Sequence, residues 1–477
     1  MVWRPSVWCN GVTPARGRIE TWSEVRLLVS ALSCNPSLGS EALVGFKFVE
    51  ALARRHEVVV FASPPSQTPD GVTLVACDAG ECSFNEVDAV PLLRFEWRQW
   101  RMARRLRFRH SFDFVHRLTP SAIQVPTWAH RLGRPLVLGP LIAADRPPAA
   151  FADYWQRPVS RPQSSRWHPA RVAARFCGMI VNRAARRGDH LRRAYRILVG
   201  SRIALRHVPE PLREKCRVVT YAGVEHDVFV PRTLTLDPSP NRIGREEPIR
   251  LLFVGRLVPY KGVELLLRAL AVAAKKCSFH LDIVGSADPV YKDFLIQLAR
   301  ELGLGVHDEQ LSTLNPQPAQ PLTLPSPHPM GRGCPEDGRG ANLSTLNPQL
   351  STVSFLPPVP RDQLPALYQQ ADVFCFPTIC DTYGIALLEA MSCGCAVLVS
   401  DVAGAGEIVN GENGLKVPLQ EPDQYIADCA EKLAALAQQP ELRSRLGAEA
   451  RRYILREHDW GRVGDQVLAV YDEMHRS

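Results

Sequence analysis

The most constraining feature of this 477-residue sequence is an alternation of short apolar runs and amphipathic stretches that occurs in two separate blocks. In the first block, VRLLVSAL (25–32) is followed by a turn, the helical pattern ALVGFKFVEALARRH and the apolar run EVVVFAS. The periodicity changes from two residues to about 3.6 and back, which is typical of a β-strand, an α-helix and a second, parallel strand. Further apolar runs at 112–118, 134–142, 196–201 and 216–224 extend the same predicted sheet.

The alternation restarts after residues 231–248, a segment rich in proline and charge that we interpret as a linker. IRLLFVGRL, FHLDIVGSA, DVFCFPT and AVLVSD are predicted strands, and helical patterns cover 263–276 and 385–394. Two such blocks predict an α/β protein with two Rossmann-like βα domains. The predicted organisation is a disordered extension at 1–24, a first domain at 25–230, the linker, a second domain at 249–450 and a C-terminal helix at 451–477.

Residues 307–351 do not fit this organisation. The tract is rich in proline, and LSTLNPQ occurs in it twice, at 311–317 and at 343–349. A structureless loop of that length is unusual inside a domain, so we interpret it as a low-complexity insertion. A functional lid is the alternative.

Composition narrows the class of protein. Hydrophobic residues make up 45% of the chain and charged residues 22%, as in a globular protein with a real core. No apolar run approaches the roughly 18 residues of a membrane-spanning helix. The thirteen cysteines contain no CxxC pair, so neither a zinc site nor a disulfide framework is indicated and we expect reduced thiols in a cytosol.

Cationic side chains follow the first strand of the second block. In VGRLVPYKGVE, Arg256 and Lys261 come after Gly255, between a strand and a helix. Ligands bind at that edge of open α/β sheets, and two fixed cations suit a diphosphate. The alternative is a pair of solvated loop charges.

Two acidic residues flank the start of a later helix, in PTICDTYGIALLEAMSCG. Asp381 precedes Gly384 and Ile385, where helix amides would face an anion, and Glu389 lies one turn further on. Asp381 could bind a sugar hydroxyl and Glu389 the two hydroxyls of a ribose. The alternatives are a helix N-cap at Asp381 or Thr382 and, for Glu389, a partly buried acid that is paired nearby.

Two further loops are candidates for ligand contact. VAGAGEIVNGENGLKV (402–417) is glycine-rich and follows a strand, although part of it reads as an ordinary surface loop. In the first block, Gly39 and Ser40 lie between a strand and a helix, so their amides could approach a phosphate from the opposite domain. A turn glycine and a capping serine are the alternative.

Taken in order along the chain, these motifs resemble the family-4 retaining glycosyltransferases of the GT-B fold, also called glycosyl transferases group 1. The phrases that carry the resemblance are SCNPSLGSEALVGFKFVEALARRHEVVVF, VGRLVPYKG, TYAGVEHDVFVP, VPRDQLPALYQQADVFCFPT and LLEAMSCGCAVLVSDVAGAGEIV. It covers about 25–306 and 352–475. The resemblance implies two Rossmann-like domains that face each other across a cleft.

The resemblance also implies roles for individual residues. Arg256 and Lys261 would neutralise the departing diphosphate, and Glu389 would bind the nucleotide ribose. Asp381, where the family usually has Glu, would contact the donor sugar together with the amides around Gly384 and Ile385.

In the first domain, Gly39 would lie near the diphosphate across the cleft. His116 in FDFVHRLTPSA would face the transferred sugar, or would be an ordinary strand-end histidine. Ala143 and Ala144 in VLGPLIAAD depart from a Gly-Gly pattern that is common in related sequences.

The implied function is transfer of a sugar, with retention, from a nucleotide diphosphate sugar to a glycan or lipid-linked acceptor in cell-envelope or exopolysaccharide synthesis. No Asp-x-Asp motif lies at a strand end, so we expect no essential metal and no cofactor besides the donor substrate. A nucleotide-sugar epimerase or phosphorylase on the same fold, and a non-catalytic nucleotide-sugar-binding module, remain alternatives.

Charge points to an anionic partner for the first half of the chain. Residues 101–200 contain 20 arginines, no lysine and four acidic residues, within a formal net charge of +8. The arginine-rich segments 94–110 and 157–196 contain aromatic and apolar residues that suit a membrane interface with anionic lipids. Solvated helix faces are the alternative.

No nucleic-acid-binding motif is present. We therefore expect a cytoplasmic protein, either free or peripheral on the inner face of the plasma membrane.

Overall fold

The apolar runs form buried parallel strands, because helices cover both faces of each sheet and leave no face for polar side chains. In the computed structural model, the chain builds two seven-stranded sheets. The structure describes residues 25–38, 40–79, 89–106, 112–155, 157, 177–181, 183–184, 187–231, 248–308 and 351–476. The predicted extension at 1–24, most of the linker at 231–248 and nearly all of the 307–351 tract lie outside them.

The first sheet has the strand order β3-β2-β1-β4-β5-β6-β7. Its strands are β1 (Arg26–Ala31), β2 (Glu57–Ala62), β3 (Thr73–Ala76), β4 (Phe114–Thr119), β5 (Leu136–Leu141), β6 (Arg196–Val199) and β7 (Cys216–Val218). The helices of this part are α1 (Ser40–Ala53), α2 (Ala89–Leu106), α3 (Ala152–Trp155), α4 (Asp189–Arg193) and α5 (Arg202–His207).

The second sheet has the order β10-β11-β9-β8-β12-β13-β14. Its strands are β8 (Ile249–Val254), β9 (Phe279–Val284), β10 (Gly305–Asp308), β11 (Thr352–Leu356), β12 (Val373–Phe376), β13 (Ala396–Ser400) and β14 (Leu415–Val417). The helices are α6 (Val263–Ala273), α7 (Pro289–Glu301), α8 (Leu364–Gln370), α9 (Ile385–Ser392), α10 (Ala403–Ile408), α11 (Pro422–Gln438), α12 (Pro440–Glu457) and α13 (Trp460–Arg476). This architecture confirms the predicted α/β fold with two Rossmann-like domains.

The predicted insertion joins two neighbouring strands of the second sheet. His307 and Asp308, at its predicted start, pair with Ser354 and Phe355 of β11. At its predicted end, the buried Ser351 accepts a hydrogen bond from the Phe279 amide at 3.1 Å. The sheet therefore extends two residues into the tract at its start and reaches Ser351 at its end.

Two segments cross between the domains. Helix α13, which with the end of α12 spans the predicted C-terminal helix, packs against α1, and the Trp460 and Phe48 rings lie 6.3 Å apart. In the other direction, Phe151 is completely buried against the second domain, with its ring 6.2 Å from that of Tyr425. Each domain thus contributes a structural element to the other.

Both sheets contain a position where the connections of two neighbouring strands run in opposite directions. In the second sheet, β8 leads to β9 on one side and has β12 as its other neighbour. In the first sheet, β1 and β4 have the same relationship. The carboxyl ends of such strand pairs leave a crevice in which α/β proteins bind ligands. Within the described ranges, no helix is long and apolar enough to cross a membrane.

Candidate active site

The crevice between β8 and β12 is closed at its base by hydrogen bonds between the two loops that follow these strands. The carbonyl oxygen of Tyr260 accepts from the Ile379 amide at 2.9 Å and from the Thr378 hydroxyl at 3.0 Å. These bonds hold the segment containing Arg256 and Lys261 against the segment containing Asp381.

Gly262 makes this close approach possible. Its φ is +70°, a left-handed conformation that residues with a Cβ rarely adopt. A Cβ at this position would lie 1.9 Å from the Pro377 carbonyl oxygen. Both the backbone conformation and the close contact with the loop after β12 therefore require glycine at this position.

Lys261 and Asp381 form an ion pair in the crevice. The Lys261 ammonium donates a hydrogen bond to Asp381 Oδ2, and both side chains are mostly buried. The ammonium also lies 5.4 Å from the centre of the Phe376 ring and 5.7 Å from that of Tyr260. The structure thus brings together two of the residues that the sequence predicted as site residues.

Arg256 lies in the same loop as Lys261, directly after β8. It follows Gly255, whose amide donates to the Val284 carbonyl at 2.9 Å and so holds the turn against β9. Arg256 Nη2 donates to the Tyr260 hydroxyl at 2.9 Å. Tyr260 therefore interacts with both cations, with Arg256 through its hydroxyl and with Lys261 through its ring.

Helix α9 begins at Ile385, next to Asp381. Its N-cap, Gly384, has φ +95°, and a Cβ there would lie 2.9 Å from the Phe376 ring. Among the residues that the structure describes, no side chain makes a cap hydrogen bond at this end. Asp381 is therefore not the helix cap that was its alternative interpretation, and the amides of the first helical turn have no side-chain cap among the described residues.

Glu389 lies one turn into α9 and is only 4% exposed. Its Oε1 accepts from Arg361 Nε at 3.3 Å, and its Oε2 accepts from the Tyr368 hydroxyl at 3.2 Å. Burial raises the pKa of the Glu389 carboxyl to about 7, against the opposing effect of the Arg361 guanidinium. The paired, buried state expected as the alternative is present, and it leaves further lone pairs of the carboxylate available.

A cavity of about 330 Å³ lies at the carboxyl ends of β8, β9 and β11, beside the loop that leads to Arg361. Its walls are mainly apolar, and Ser286 and Lys292 contribute polar groups. A flat aromatic group fits such a lining. The apolar lining residues are Leu257, Ile283, Ala287, Phe355, Leu356, Pro357 and Pro358.

The first domain reaches the crevice through the loop after β5. The Cys380 thiol, next to Asp381, lies 3.7 Å from the Asp145 carbonyl oxygen. A cavity of about 380 Å³ between this loop and α10 opens at the same place. Ser40 is the first residue of α1, after β1, but its side chain and all of Gly39 lie outside the described residues.

The structure does not bring His116 to this site. The side chain is completely buried in the first sheet. Its Nε2 donates to the Gly139 carbonyl at 2.6 Å, and its Nδ1 accepts from the Tyr471 hydroxyl of α13 at 2.8 Å. Burial lowers the pKa of His116 to about 4. Both ring nitrogens are used in packing α13 onto the sheet, so the expectation that this residue faces the sugar is not met.

Three residues of the site were missed by reasoning from the sequence: Tyr260, Arg361 and Tyr368. Tyr260 stands beside a predicted site residue, in YKG, and this adjacency was its signal. Arg361 is a single arginine in a loop between a strand and a helix, and Tyr368 lies in an ordinary amphipathic helix. No local pattern distinguishes these two from structural residues.

Most of the second domain is similar to a known protein family. Residues 239–317 and 343–453 match the family model described as Glycosyl transferases group 1, and the match omits 318–342. The matched ranges cover most of the second domain, including Arg256, Lys261, Asp381 and Glu389. The similarity to the group 1 glycosyltransferases is therefore confined to less than half of the chain.

A curated relative, the D-inositol 3-phosphate glycosyltransferase of Thermomonospora curvata, is 29% identical over 54% of this chain and 51% of its own. This chain spans about half the length of such relatives. Among solved structures, sucrose-phosphate synthase from Thermosynechococcus elongatus aligns with 16% identity, a TM-score of 0.61 and coverage of 95% of this chain and 100% of its own. Anabaena HepE in complex with UDP and glucose aligns with 15% identity, a TM-score of 0.55 and coverage of 94% and 100%. The structural matches show the GT-B fold.

Proposed function

We propose that this chain, whose second domain matches the group 1 glycosyltransferases, is a retaining glycosyltransferase that uses a nucleotide diphosphate sugar. The observation that carries the proposal is the crevice between β8 and β12. It brings together Lys261 paired with Asp381, Arg256 in the same loop as Lys261, and the N-terminus of α9, which lacks a side-chain cap among the described residues. Positive charge from two side chains and a helix terminus suits a diphosphate, and a carboxylate suits a sugar hydroxyl.

The remaining parts of a donor fit around this crevice. Glu389 supplies carboxylate oxygens for the ribose, and the apolar cavity beside the Arg361 loop is suited to a nucleobase. HepE, which shares this fold, holds UDP and glucose in its solved structure. The order along the crevice is then sugar at Asp381, diphosphate at Arg256 and Lys261, ribose at Glu389 and base in the cavity.

In the proposed reaction, the bond between the anomeric carbon and the diphosphate oxygen breaks, and its electron pair leaves with the diphosphate. The acceptor oxygen bonds to the same carbon, and the departing diphosphate takes the proton of the acceptor hydroxyl. Arg256, Lys261 and the α9 terminus would stabilise the negative charge that develops on the diphosphate. This arrangement gives the leaving group three sources of positive charge without a divalent metal. Contact between the domains beside Asp381 would exclude water from the donor.

For the acceptor we propose a glycan or a lipid-linked sugar of the cell envelope, reached at a membrane surface through α2. On the exposed side of this helix, Arg101 lies 5.2 Å over the Trp97 ring, which is 53% exposed. A cavity of about 370 Å³ beside the helix is lined by apolar side chains and by Arg104, Arg131 and Arg134. Indole and arginine side chains on one face are typical of interfacial helices. Residues 158–176 of the second arginine-rich segment lie outside the described residues.

The donor site is tested by thermal unfolding with UDP, GDP, ADP and their glucose or mannose conjugates, with and without EDTA. A ligand that binds only the folded state raises the free energy of unfolding by about 2.7 kcal/mol at a hundredfold excess over Kd. We expect one nucleotide series to raise Tm equally with and without EDTA. Loss of that shift in EDTA would contradict metal-independent binding.

Turnover is then tested with the stabilising donor and a panel of glycan and polyprenol-linked acceptors. Transfer with the same anomeric configuration supports the proposal. Binding without turnover would favour the non-catalytic module, and interconversion of the donor sugar without an acceptor would favour an epimerase.

The membrane surface has its own test, cosedimentation with vesicles of phosphatidylcholine alone or with 30% phosphatidylglycerol. We expect binding only to the anionic vesicles, and weaker binding when Trp97 and Arg101 are changed to alanine. The control variant changes Arg452, an exposed arginine of α12 paired with Glu449. Equal binding to neutral vesicles would contradict the charge-based contact.

A further inference from the structure

Four charged side chains form a continuous chain from the first domain to Glu389. Lys47, on α1, donates to Glu225 Oε1 at 3.1 Å, and Glu225 Oε2 accepts from Arg361 Nη1 at 2.5 Å. Arg361 Nε then donates to Glu389 Oε1 at 3.3 Å. The central pair joins residues 136 positions apart in the sequence.

Arg361 is held in a specific orientation within this chain. Its guanidinium lies 4.9 Å over the Phe229 ring and is only partly exposed. Two of its nitrogens serve two different carboxylates, a geometry that the planar fork of arginine allows and the single nitrogen of lysine does not. The position of the guanidinium is therefore determined by Glu225 as much as by Glu389.

The Glu389 carboxylate keeps a defined orientation because each oxygen has one protein donor. Oε1 faces Arg361 and Oε2 faces Tyr368. An ionised carboxylate has about four lone-pair positions, so two remain for a vicinal diol. Loss of either donor would leave a nearly buried carboxylate both less favourable as an anion and free to rotate.

We propose that Arg361 is a positioning residue for nucleotide binding, which favours the ionised form of Glu389, orients it toward the ribose and is itself held in place by Glu225 and Lys47. This inference rests on the proposed function, because it takes Glu389 as the ribose-binding group. It gives Arg361 a role that acts through Glu389, and it makes helix α1 of the first domain part of the support of the nucleotide site.

The charges around Glu389 predict opposite effects for two neutralising variants. The groups that act on its carboxyl are Arg361, Tyr368 and Glu225, and the Cys393 thiol, whose pKa is raised to about 12, lies nearby in neutral form. Arg361 lowers the pKa of Glu389, and Glu225 raises it. Arg361→Gln should therefore move the ionisation of Glu389 to higher pH, and Glu225→Gln should move it to lower pH.

The test is titration calorimetry of the full chain with UDP, GDP and ADP, at pH values from 5.5 to 8.5. In the wild type, affinity for the nucleotide that binds should increase as the pH rises through about 7. Arg361→Gln should weaken binding about tenfold at pH 7, because a hydrogen bond to a charged group is lost. Its pH midpoint should be higher than that of the wild type, and that of Glu225→Gln lower. Titration of the nucleotide phosphate is common to all variants and cancels in the comparison.

Two further variants separate positioning from a general structural effect. Arg361→Lys keeps the positive charge and should keep the pH midpoint near that of the wild type, while losing part of the affinity. Arg217→Gln is the matched control. Arg217 of the first domain pairs with Glu473 of α13 at 2.9 Å, so this ion pair also joins the first domain to a distant part of the chain. It should change neither the affinity nor the midpoint.

Specific outcomes contradict the inference. If Arg361→Gln and Glu225→Gln bind nucleotide with the wild-type affinity and midpoint while Glu389→Gln binds weakly, the positioning role is wrong and the ribose assignment stands. If Glu389→Gln binds as well as the wild type, or if no nucleotide binds the wild type, the proposed donor site itself fails and the inference with it. Equal midpoint shifts in Arg361→Gln and Arg361→Lys would also overturn it, since the charge would then have no effect.

Discussion

Lys261 and Asp381 are 120 residues apart in the sequence, and the Lys261 ammonium donates a hydrogen bond directly to the Asp381 carboxylate. The contact exists because β8 and β12 are neighbours in the sheet. The Tyr260 carbonyl in the loop after β8 also accepts a hydrogen bond from the Ile379 amide in the loop after β12. In the resting protein, the anion that faces the cationic crevice is thus a residue of the chain. A bound diphosphate would compete with Asp381 for the same ammonium.

Removal of the lysine charge tests this arrangement. Lys261→Met should reduce kcat by about 100-fold or more, the cost typical of losing one group that stabilises developing charge. It should also weaken nucleotide binding, measured by calorimetry. Arg452→Met, at an exposed pair on α12, is the control and should retain wild-type turnover. Wild-type kcat in Lys261→Met would show that the lysine is not part of the donor site.

Gly262→Ala tests the contact between the two loops without changing the side chain of any proposed ligand-binding residue. Gly262→Ala should lower both Tm and nucleotide affinity, because its Cβ would collide with the Pro377 carbonyl and separate the two loops. Gly303→Ala is the matched control, since Gly303 also has a positive φ but a Cβ there would have no atom of the described residues within 4 Å. The control should cost about 1–2 kcal/mol for its backbone conformation and leave nucleotide affinity unchanged. Equal affinity in the two variants would show that the loop contact does not shape the site.

The His116–Tyr471 hydrogen bond should be a stability contact between the first sheet and α13. Tyr471→Phe should lower the free energy of unfolding by about 1 kcal/mol. His116→Ala should lower it further, by about 2–4 kcal/mol, because it leaves a cavity and a buried hydroxyl without its partner. Chemical denaturation measures both effects. The kcat of the folded His116→Ala protein should match that of the wild type, and a loss of kcat without a loss of stability would restore a catalytic role.

The buried Glu389 carboxyl predicts a pH dependence of stability in the absence of nucleotide. Its pKa is about 7 in the folded protein, against an ordinary value of 4.5, so the folded state binds the proton more tightly than the unfolded state. The free energy of unfolding should therefore decrease as the pH rises from about 4.5 to about 7 and then level off. Glu389→Gln lacks this titration. The Tm of the wild type minus the Tm of Glu389→Gln should decrease as the pH rises from about 4.5 to about 7. A difference that does not change with pH would contradict the raised pKa.

The strands and helices around the site were largely predictable because each has a strong local pattern. The expected strand at 249–257 is β8, and the expected helix at 385–394 is α9. The strand predicted at 216–224 is an exception, since β7 ends at Val218. Beyond it, the Val224 amide bonds to the His458 carbonyl at 2.8 Å, so an apolar run that resembles a strand leaves the sheet to meet the C-terminal helices.

Shorter elements escaped prediction for a related reason. Strands β3 and β14 contain four and three residues, too few to show a periodicity. They form because longer neighbouring strands offer a hydrogen-bonding edge, not because their own residues require it. His116 was misplaced on similar grounds, since the pattern of β4 does not reveal that α13 covers it.

The amino-acid sequence by itself determined the alternation of strands and helices, the division into two parallel sheets and the positions of Gly255, Arg256 and Lys261 after a strand. Local periodicity and turn chemistry are enough for these features, because they depend on residues within one or two turns of each other. Only the tertiary structure decided that Lys261 meets Asp381, that Arg361 joins Glu225 to Glu389, and that Tyr471 rather than a substrate contacts His116. These contacts join residues between 28 and 355 positions apart, and they follow from sheet order and domain packing, which no local pattern encodes.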